Sequence, residues 1–155
     1  MIITIDTREQ APYDFGRYDV DVAKATLPCG DYSLPGCDHL VSIERKTLDD
    51  LINCLMGKNR DRFERELNRL RPYQVAAVVV EATLKDISRG RFVSKMKPQS
   101  ALQSVIAMQV RHKVPFMFCG DRSGAQYVTH GLLSKYAYEI DKQYKAIQKE
   151  DKNHA

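Results

Sequence analysis

Val41-Ser42-Ile43-Glu44-Arg45-Lys46, preceded by Gly30-Asp31 and followed by Thr47-Leu48-Asp49-Asp50, is the stretch from which the rest of the chain can be read. The apolar, partly β-branched run Val41-Ser42-Ile43 is a strand that ends in three charged residues. Side chains on a strand alternate between faces. Glu44 and Lys46 therefore share one face, and Arg45 projects from the other. Asp31 stands thirteen residues before Glu44, within reach as a hairpin neighbour across the turn Pro35-Gly36-Cys37-Asp38. Two carboxylates and an ammonium on one face suit Mg²⁺-dependent hydrolysis of a phosphodiester. Carboxylates hold a hard cation, the cation activates water and clamps phosphate, and the lysine adds positive charge beside them. Taken alone, the same three residues also read as a salt-bridge cluster on an edge hairpin.

Outward from this stretch, Thr47 has the character of a helix N-cap, with Asp50 three residues on. Leu48, Leu51, Ile52 and Leu55 repeat at i, i+3, i+4, i+7, which predicts a helix ending near Gly57. A second helix is expected over 61–70, with Phe63, Leu67 and Leu70 inward and Arg62, Arg65 and Arg69 largely outward. Residues 75–80, Val-Ala-Ala-Val-Val-Val, form a continuous apolar run typical of a buried central strand and end at Glu81. Upstream, 2–5 is a short strand ending in Asp6-Thr7-Arg8-Glu9, and 19–27 is an irregular strand. Residues 32–34 and 39–46 make the hairpin. Downstream come a short helix over 83–89, a basic loop over 90–97, and a helix over 99–111. A strand around Pro115 follows, placed near a sheet edge by that proline. A long, partly amphipathic helix over 125–148 and a polar tail over 149–155 complete the chain. This order predicts one α/β domain, a three-layer αβα fold around a central mixed β-sheet.

The 155 residues suffice for one domain with a proper core, and 28% charged and 43% hydrophobic residues are ordinary for a globular chain. The net charge of +4 is unevenly distributed: residues 1–56 carry ten Asp/Glu against five Lys/Arg, and the remainder nineteen Lys/Arg against ten Asp/Glu. An acidic metal site beside a polyanion-binding surface fits that asymmetry, as does simple mixing of charge on folding. The N-terminus lacks a basic segment with a long apolar run, and no stretch is long and apolar enough for a membrane span. Cys29, Cys37, Cys54 and Cys119 show no zinc spacing and read as reduced thiols of an intracellular, cytoplasmic protein.

Four segments together resemble the nuclease domain of the XPF-type structure-specific endonucleases. They are Ile5-Asp6-Thr7-Arg8-Glu9, Gly30-Asp31-Tyr32, Ile43 to Leu51 with its Glu44-Arg45-Lys46-x-x-x-Asp50 signature, and Val78-Val79-Val80-Glu81. The family pattern is D-x-R-E after a strand, then G-D-Y, then E-R-K-x-x-x-D, then an apolar strand ending in Glu. All parts are here in order, over roughly residues 1–140. The resemblance implies a restriction-endonuclease-like core, dependence on Mg²⁺ or Mn²⁺, and cleavage of DNA at single-strand/double-strand junctions, in repair or recombination. It implies Asp31 and Glu44 as principal metal ligands, Lys46 as the catalytic lysine, and Asp6 as a further catalytic and metal-binding carboxylate. Arg8, Glu9, Arg45, Asp50 and Glu81 belong to the signature or its pocket. Arg45, off the metal face, is expected to pair with Asp50 or Glu9. Asp6 also reads as a strand-end turn residue, and Glu81 as either a site residue or a helix cap.

Phosphate contacts are expected from Arg60 or Arg62, in a segment resembling the family's glycine-arginine stretch, and from Arg89, Arg91, Lys95 and Lys97. Asp61, Glu64 and Glu66 read as surface partners of the arginines on the same helix. Tyr136, Tyr138 and Tyr144 read as packing or dimer-contact residues, and His39, His112, His130 and His154 carry no ligand spacing. The DNA-gripping tandem helix-hairpin-helix module often found in the family is not expected within these 155 residues. The expectation is thus a compact prokaryotic or viral nuclease domain, acting on nucleoid DNA if prokaryotic. It would work with its own basic surface, as a homodimer, or with a separate DNA-binding partner protein. A non-catalytic DNA-binding subunit on the same fold is the rival expectation, and the intact signature speaks against it.

Overall fold

The structure, a computed structural model, describes residues 1–153. Its six strands are β1 (Ile2–Asp6), β2 (Asp21–Ala25), β3 (Tyr32–Ser33), β4 (Val41–Lys46), β5 (Val75–Val80) and β6 (Phe116–Phe118). Its helices are α1 (Leu48–Asn53), α2 (Gly57–Leu70), α3 (Leu84–Ser88), α4 (Pro98–His112) and α5 (Arg122–Asn153). The strands form one sheet in the order β2-β1-β3-β4-β5-β6. The β1–β2, β4–β5 and β5–β6 pairs are parallel, and β3 is antiparallel to both neighbours. The mixed α/β architecture expected from the sequence is the observed one.

Alternation along the strands divides the interior in two. Val78 and Val80 of β5 join Leu51, Ile52, Phe63, Leu67, Ile87, Val105 and Met108 in a core under α1 to α4. Ala77 and Val79 join Ile3, Ile5, Val41 and Ile43 in a second core under α5, closed by Tyr13 and Phe15 of the first long loop. β5, apolar on both faces, separates the two, as its uninterrupted valine run demands. β6 is an edge strand, and Pro115 stands directly before it, where its missing N–H costs no ladder bond.

Two boundaries differ from expectation. α2 begins at Gly57 rather than residue 61. Gly57 does not close the first helix; its φ of +56° turns the chain sharply out of α1 and into α2, a conformation glycine adopts without steric cost. α4 buries Ala101, Val105, Met108 and His112, and leaves Ile106 and Val110 exposed. α5 starts at Arg122 and continues to Asn153, so residues 149–153 of the expected tail are helical, and the last two residues of that tail, including His154, lie outside the described region. The helix extends through polar sequence with help from i,i+4 and i,i+3 pairs such as Lys145–Asp141 and Lys142–Glu139.

Candidate active site

The charged end of β4 lies where the parity of the strand puts it. Val41 and Ile43 point into the α5 core, so Ser42, Glu44 and Lys46 point toward α1 and α2. Lys46 Nζ stands 2.9 Å from Glu44 Oε1 and 5.2 Å above the ring centroid of Phe63, which α2 places beneath it. Asp31 enters from the segment before β3. Its backbone N–H donates to the Ile43 carbonyl at 2.9 Å, and its Oδ2 accepts from the Arg45 backbone N–H at 2.7 Å. The two antiparallel segments thus deliver Asp31 beside Glu44.

Gly30 explains why the aspartate follows a glycine. Its φ is +79°, and a Cβ there would lie 2.0 Å from Ser42 Oγ. That hydroxyl donates to the Cys29 carbonyl at 2.7 Å, locking the segment flat on β4. Only a residue without a side chain lets Asp31 come this close.

The electrostatics are those of crowded acids. Burial, then the neighbouring Glu44 carboxylate, push the Asp31 carboxyl up to about 8. Glu44, 5% exposed, is also driven well above the usual carboxylate range, chiefly by burial, with Lys46 opposing. Burial works against the charge on Lys46, yet Glu44, with Cys54 and Glu66, more than offsets it and holds the ammonium protonated. Lys46 is the one cationic side chain paired to these two acids among the described residues. Mg²⁺ and Mn²⁺ are hard ions that accept carboxylate oxygens and retain several waters, so the donor set fits them. No three His, Cys, Asp or Glu side chains form a ready-made metal cage among the described residues.

Arg45 faces the other way, as alternation requires. It donates from Nε to Glu81 Oε1 at 2.7 Å and from Nη1 to Glu9 Oε1 at 3.3 Å. Tyr13 donates its hydroxyl to the same Glu81 oxygen at 3.0 Å, and Arg122 reaches it at 3.5 Å. Arg45 and Arg122 both stack on the Tyr13 ring. Of the two partners expected for Arg45, Glu9 is present; Asp50 is exposed and its backbone N–H is bound by the Thr47 hydroxyl. Glu81 neither faces the Asp31–Glu44 pair nor caps α3, whose capping box is Thr83 with Asp86. It shares the parity of Ala77 and Val79, and so the α5 side of the sheet.

Asp6 is on the same side as Glu44 but its carboxylate is fully engaged. Oδ1 accepts from the backbone N–H and Nε of Arg8, and Oδ2 from Nη2 of Arg8 and the backbone N–H of Leu27. Burial alone would raise its pKa; these hydrogen bonds outweigh burial and hold it below the ordinary value. The arrangement is that of a turn-stabilising aspartate.

Among the expected phosphate contacts, Arg60 is occupied by the Leu55 carbonyl, the Ser104 hydroxyl and Glu64, whereas Arg62 is exposed and without a partner among the described residues. In the loop after α3, Phe92 and Met96 pack inward while Arg89, Arg91, Lys95 and Lys97 are exposed. Arg91 pairs with Asp86. The Val93 backbone N–H donates to Asp49 Oδ1 at 2.9 Å, tying this basic loop to the start of α1 beside the charged end of β4. His112, given no role from sequence, is buried between Glu64 and Asn68 and fastens α4 to α2. Tyr136 is buried and donates to Gln74 at 2.7 Å, whereas Tyr138 and Tyr144 are exposed.

Sequence reasoning missed three residues here. Tyr13 and Arg122 come from a loop and a helix start with no periodic signal. Glu66 is different. It belongs to α2 three residues after buried Phe63 and one before buried Leu67. An acid inside an apolar helical stripe is a legible signal, and it points away from the expected role as a surface partner of arginine.

The model for the ERCC4 domain matches residues 5–131. Among solved structures, XPF from Aeropyrum pernix superposes with a TM-score of 0.70 at 23% identity, covering 94% of this chain and 69% of that one. The complex of XPF from Aeropyrum pernix with DNA gives a TM-score of 0.68 at 24% identity, covering 89% and 66%. The chain thus spans about two thirds of each. No curated protein matches. No described helix is long and apolar enough to cross a membrane.

Proposed function

The chain belongs to the ERCC4-domain family, and from that premise we propose that it is a metal-dependent DNA endonuclease domain, hydrolysing phosphodiester bonds at branched or single-strand/double-strand junction DNA. The observation that carries this reading is the pair of acids, Asp31 and Glu44, driven together on one face with Lys46 as their single ammonium. Asp31 and Glu44 would hold Mg²⁺ or Mn²⁺, which when bound supplies charge to polarise the scissile phosphate and to acidify a water. Lys46, kept charged by Glu44, is placed to orient that water or neutralise a phosphate oxygen. Phe63 limits its motion from below. The expected product ends are 5′-phosphate and 3′-hydroxyl.

Arg45 acts from behind. Its backbone N–H holds Asp31, while its guanidinium anchors β4 to Glu9 and Glu81. Asp6 is left out of the ligand set because its oxygens are taken. The exposed cations Arg62, Arg89, Lys95 and Lys97, with Arg91, are the proposed phosphate-tracking surface. DNA as substrate implies an intracellular location, in keeping with four free cysteines. Whether a homodimer or a separate partner completes the DNA grip is decided by light scattering of the purified protein with and without DNA.

The test of substrate class is cleavage of end-labelled flap, fork, single-strand and plain duplex DNA, each with Mg²⁺ or Mn²⁺ and with chelator. Cutting near the junction that requires metal supports the proposal. Binding of every substrate without cleavage refutes it and supports the non-catalytic subunit.

A further inference from the structure

The carboxyl of Glu66 lies within hydrogen-bonding reach of the Glu44 carboxyl, on the side of Glu44 that α2 covers. The backbone at Glu66 is fixed there: its carbonyl accepts from the Cys29 thiol at 3.7 Å, one residue before Gly30-Asp31. Phe63, one helical turn earlier on the same face, carries Lys46 over its ring. Glu66 is half-buried and, among the described residues, has no ion-pair partner. The other acids close to the site are different. Asp6 pairs with Arg8, Glu9 with Arg45, and Glu81 with Arg45 and Arg122. Two residues earlier on α2, Glu64 pairs with Arg60, Arg111 and His112.

An unpaired carboxylate pressed toward a buried one is unfavourable unless something cationic joins them. Lys46 is near enough for Glu66 to favour its charge, but its ion pair is with Glu44. Of the phosphate-contact residues, Arg62 precedes Glu66 by one turn but is exposed and unpaired, not folded back upon it. Asp31, Glu44 and Glu66 thus have a single ion pair between them, Lys46 with Glu44, which leaves room for a cation shared by the three.

We infer that Glu66 is the third carboxylate of the metal site, contributed by α2, and that it turns onto a divalent cation held by Asp31 and Glu44. The inference rests on the metal-dependent reading above. A carboxylate from α2 makes cation binding depend on the packing of that helix, and through Arg62 on its contact with phosphate. Binding of DNA and of metal are then coupled through one rigid element.

The experiment is titration of the purified chain with Mn²⁺, followed by electron paramagnetic resonance of free ion and by the metal-induced shift in melting temperature. Wild type, Glu66→Gln and Asp61→Asn are compared. Asp61→Asn removes one acidic charge from an exposed position on the same helix and serves as the charge control. We expect Glu66→Gln to weaken Mn²⁺ binding at least tenfold, to melt in chelator no lower than wild type, and to lose most of the metal-induced shift. Asp61→Asn is expected to bind Mn²⁺ as wild type does. Wild-type affinity in Glu66→Gln overturns the inference while leaving the metal site of Asp31 and Glu44 standing. A lowered melting temperature in chelator with unchanged Mn²⁺ affinity also overturns it, by assigning Glu66 a purely structural role. Absence of Mn²⁺ binding in wild type overturns the metal-dependent reading itself.

Discussion

Asp31→Asn is expected to make the metal-free protein more stable at pH 8.5 and to abolish its response to divalent metal. The wild-type carboxyl titrates near 8 in the folded chain against an ordinary value of 3.8. The fold therefore favours the neutral acid. Its stabilisation is present in full below the ordinary value and is lost as pH rises toward about 8. Each unit of displacement corresponds to about 1.4 kcal/mol, so the ceiling is about 5–6 kcal/mol. Asp31 is only half-buried, and solvent at its rim and relaxation around the charge reduce this to about 2–3 kcal/mol. Asparagine cannot ionise, and its side-chain oxygen still accepts the Arg45 N–H. The advantage of the variant over wild type should therefore be smallest at pH 5 and grow as pH rises. At pH 8.5 the variant should melt about 5–10 °C higher, at about 2–4 °C per kcal/mol for a chain of this size. The assay is calorimetry in chelator at pH 5, 7 and 8.5, repeated with Mn²⁺. Metal is expected to raise the melting temperature of wild type only, and more at high pH, where it need not displace a proton. A variant less stable than wild type at pH 8.5, or a difference independent of pH, refutes the reasoning.

Other expectations follow from the same geometry. Gly30→Ala forces a left-handed alanine against Ser42 Oγ and should cost about 2–4 kcal/mol, read as a lowered urea midpoint, with cleavage lost because Asp31 is displaced. Arg45→Ala leaves Glu9 without its guanidinium and Glu81 with only Arg122 and Tyr13, and should cost about 3 kcal/mol, measured the same way; an unchanged midpoint contradicts the anchoring role. Lys95→Ala and Lys97→Ala should weaken binding to all DNA forms alike, and fluorescence anisotropy against salt should show the log–log slope falling by about one per residue. An unchanged slope removes the basic loop from the interface.

Much of this site could be read before folding because strand parity is strict. The opposite orientations of Arg45 and Glu44 followed from counting, and both are observed. The same count, applied to β5, would have put Glu81 with Val79 and hence away from Glu44. The apolar stripe on α2 would likewise have marked Glu66. Other features were not legible. Tyr13 lies in a loop whose path depends on stacking with Tyr32 at 5.2 Å, a contact between residues with no periodic relation. Arg122 reaches Glu81 only because α5 packs across the sheet. The start of α2 was missed because Gly57 closes and opens helices with equal ease, and only the packing of Phe63 and Leu67 decides which. Asp6 carries the residue type of a ligand, but Arg8, two residues on, turns it into a structural group.

The most direct measurement is single-turnover cleavage of a labelled fork with Mg²⁺ by wild type, Asp31→Asn and Lys46→Met, with DNA binding recorded in parallel. The account predicts junction cleavage by wild type and a loss of at least a hundredfold in either variant, with binding retained. Cleavage at the wild-type rate by either variant contradicts the central claim that Asp31, Glu44 and Lys46 form the catalytic site.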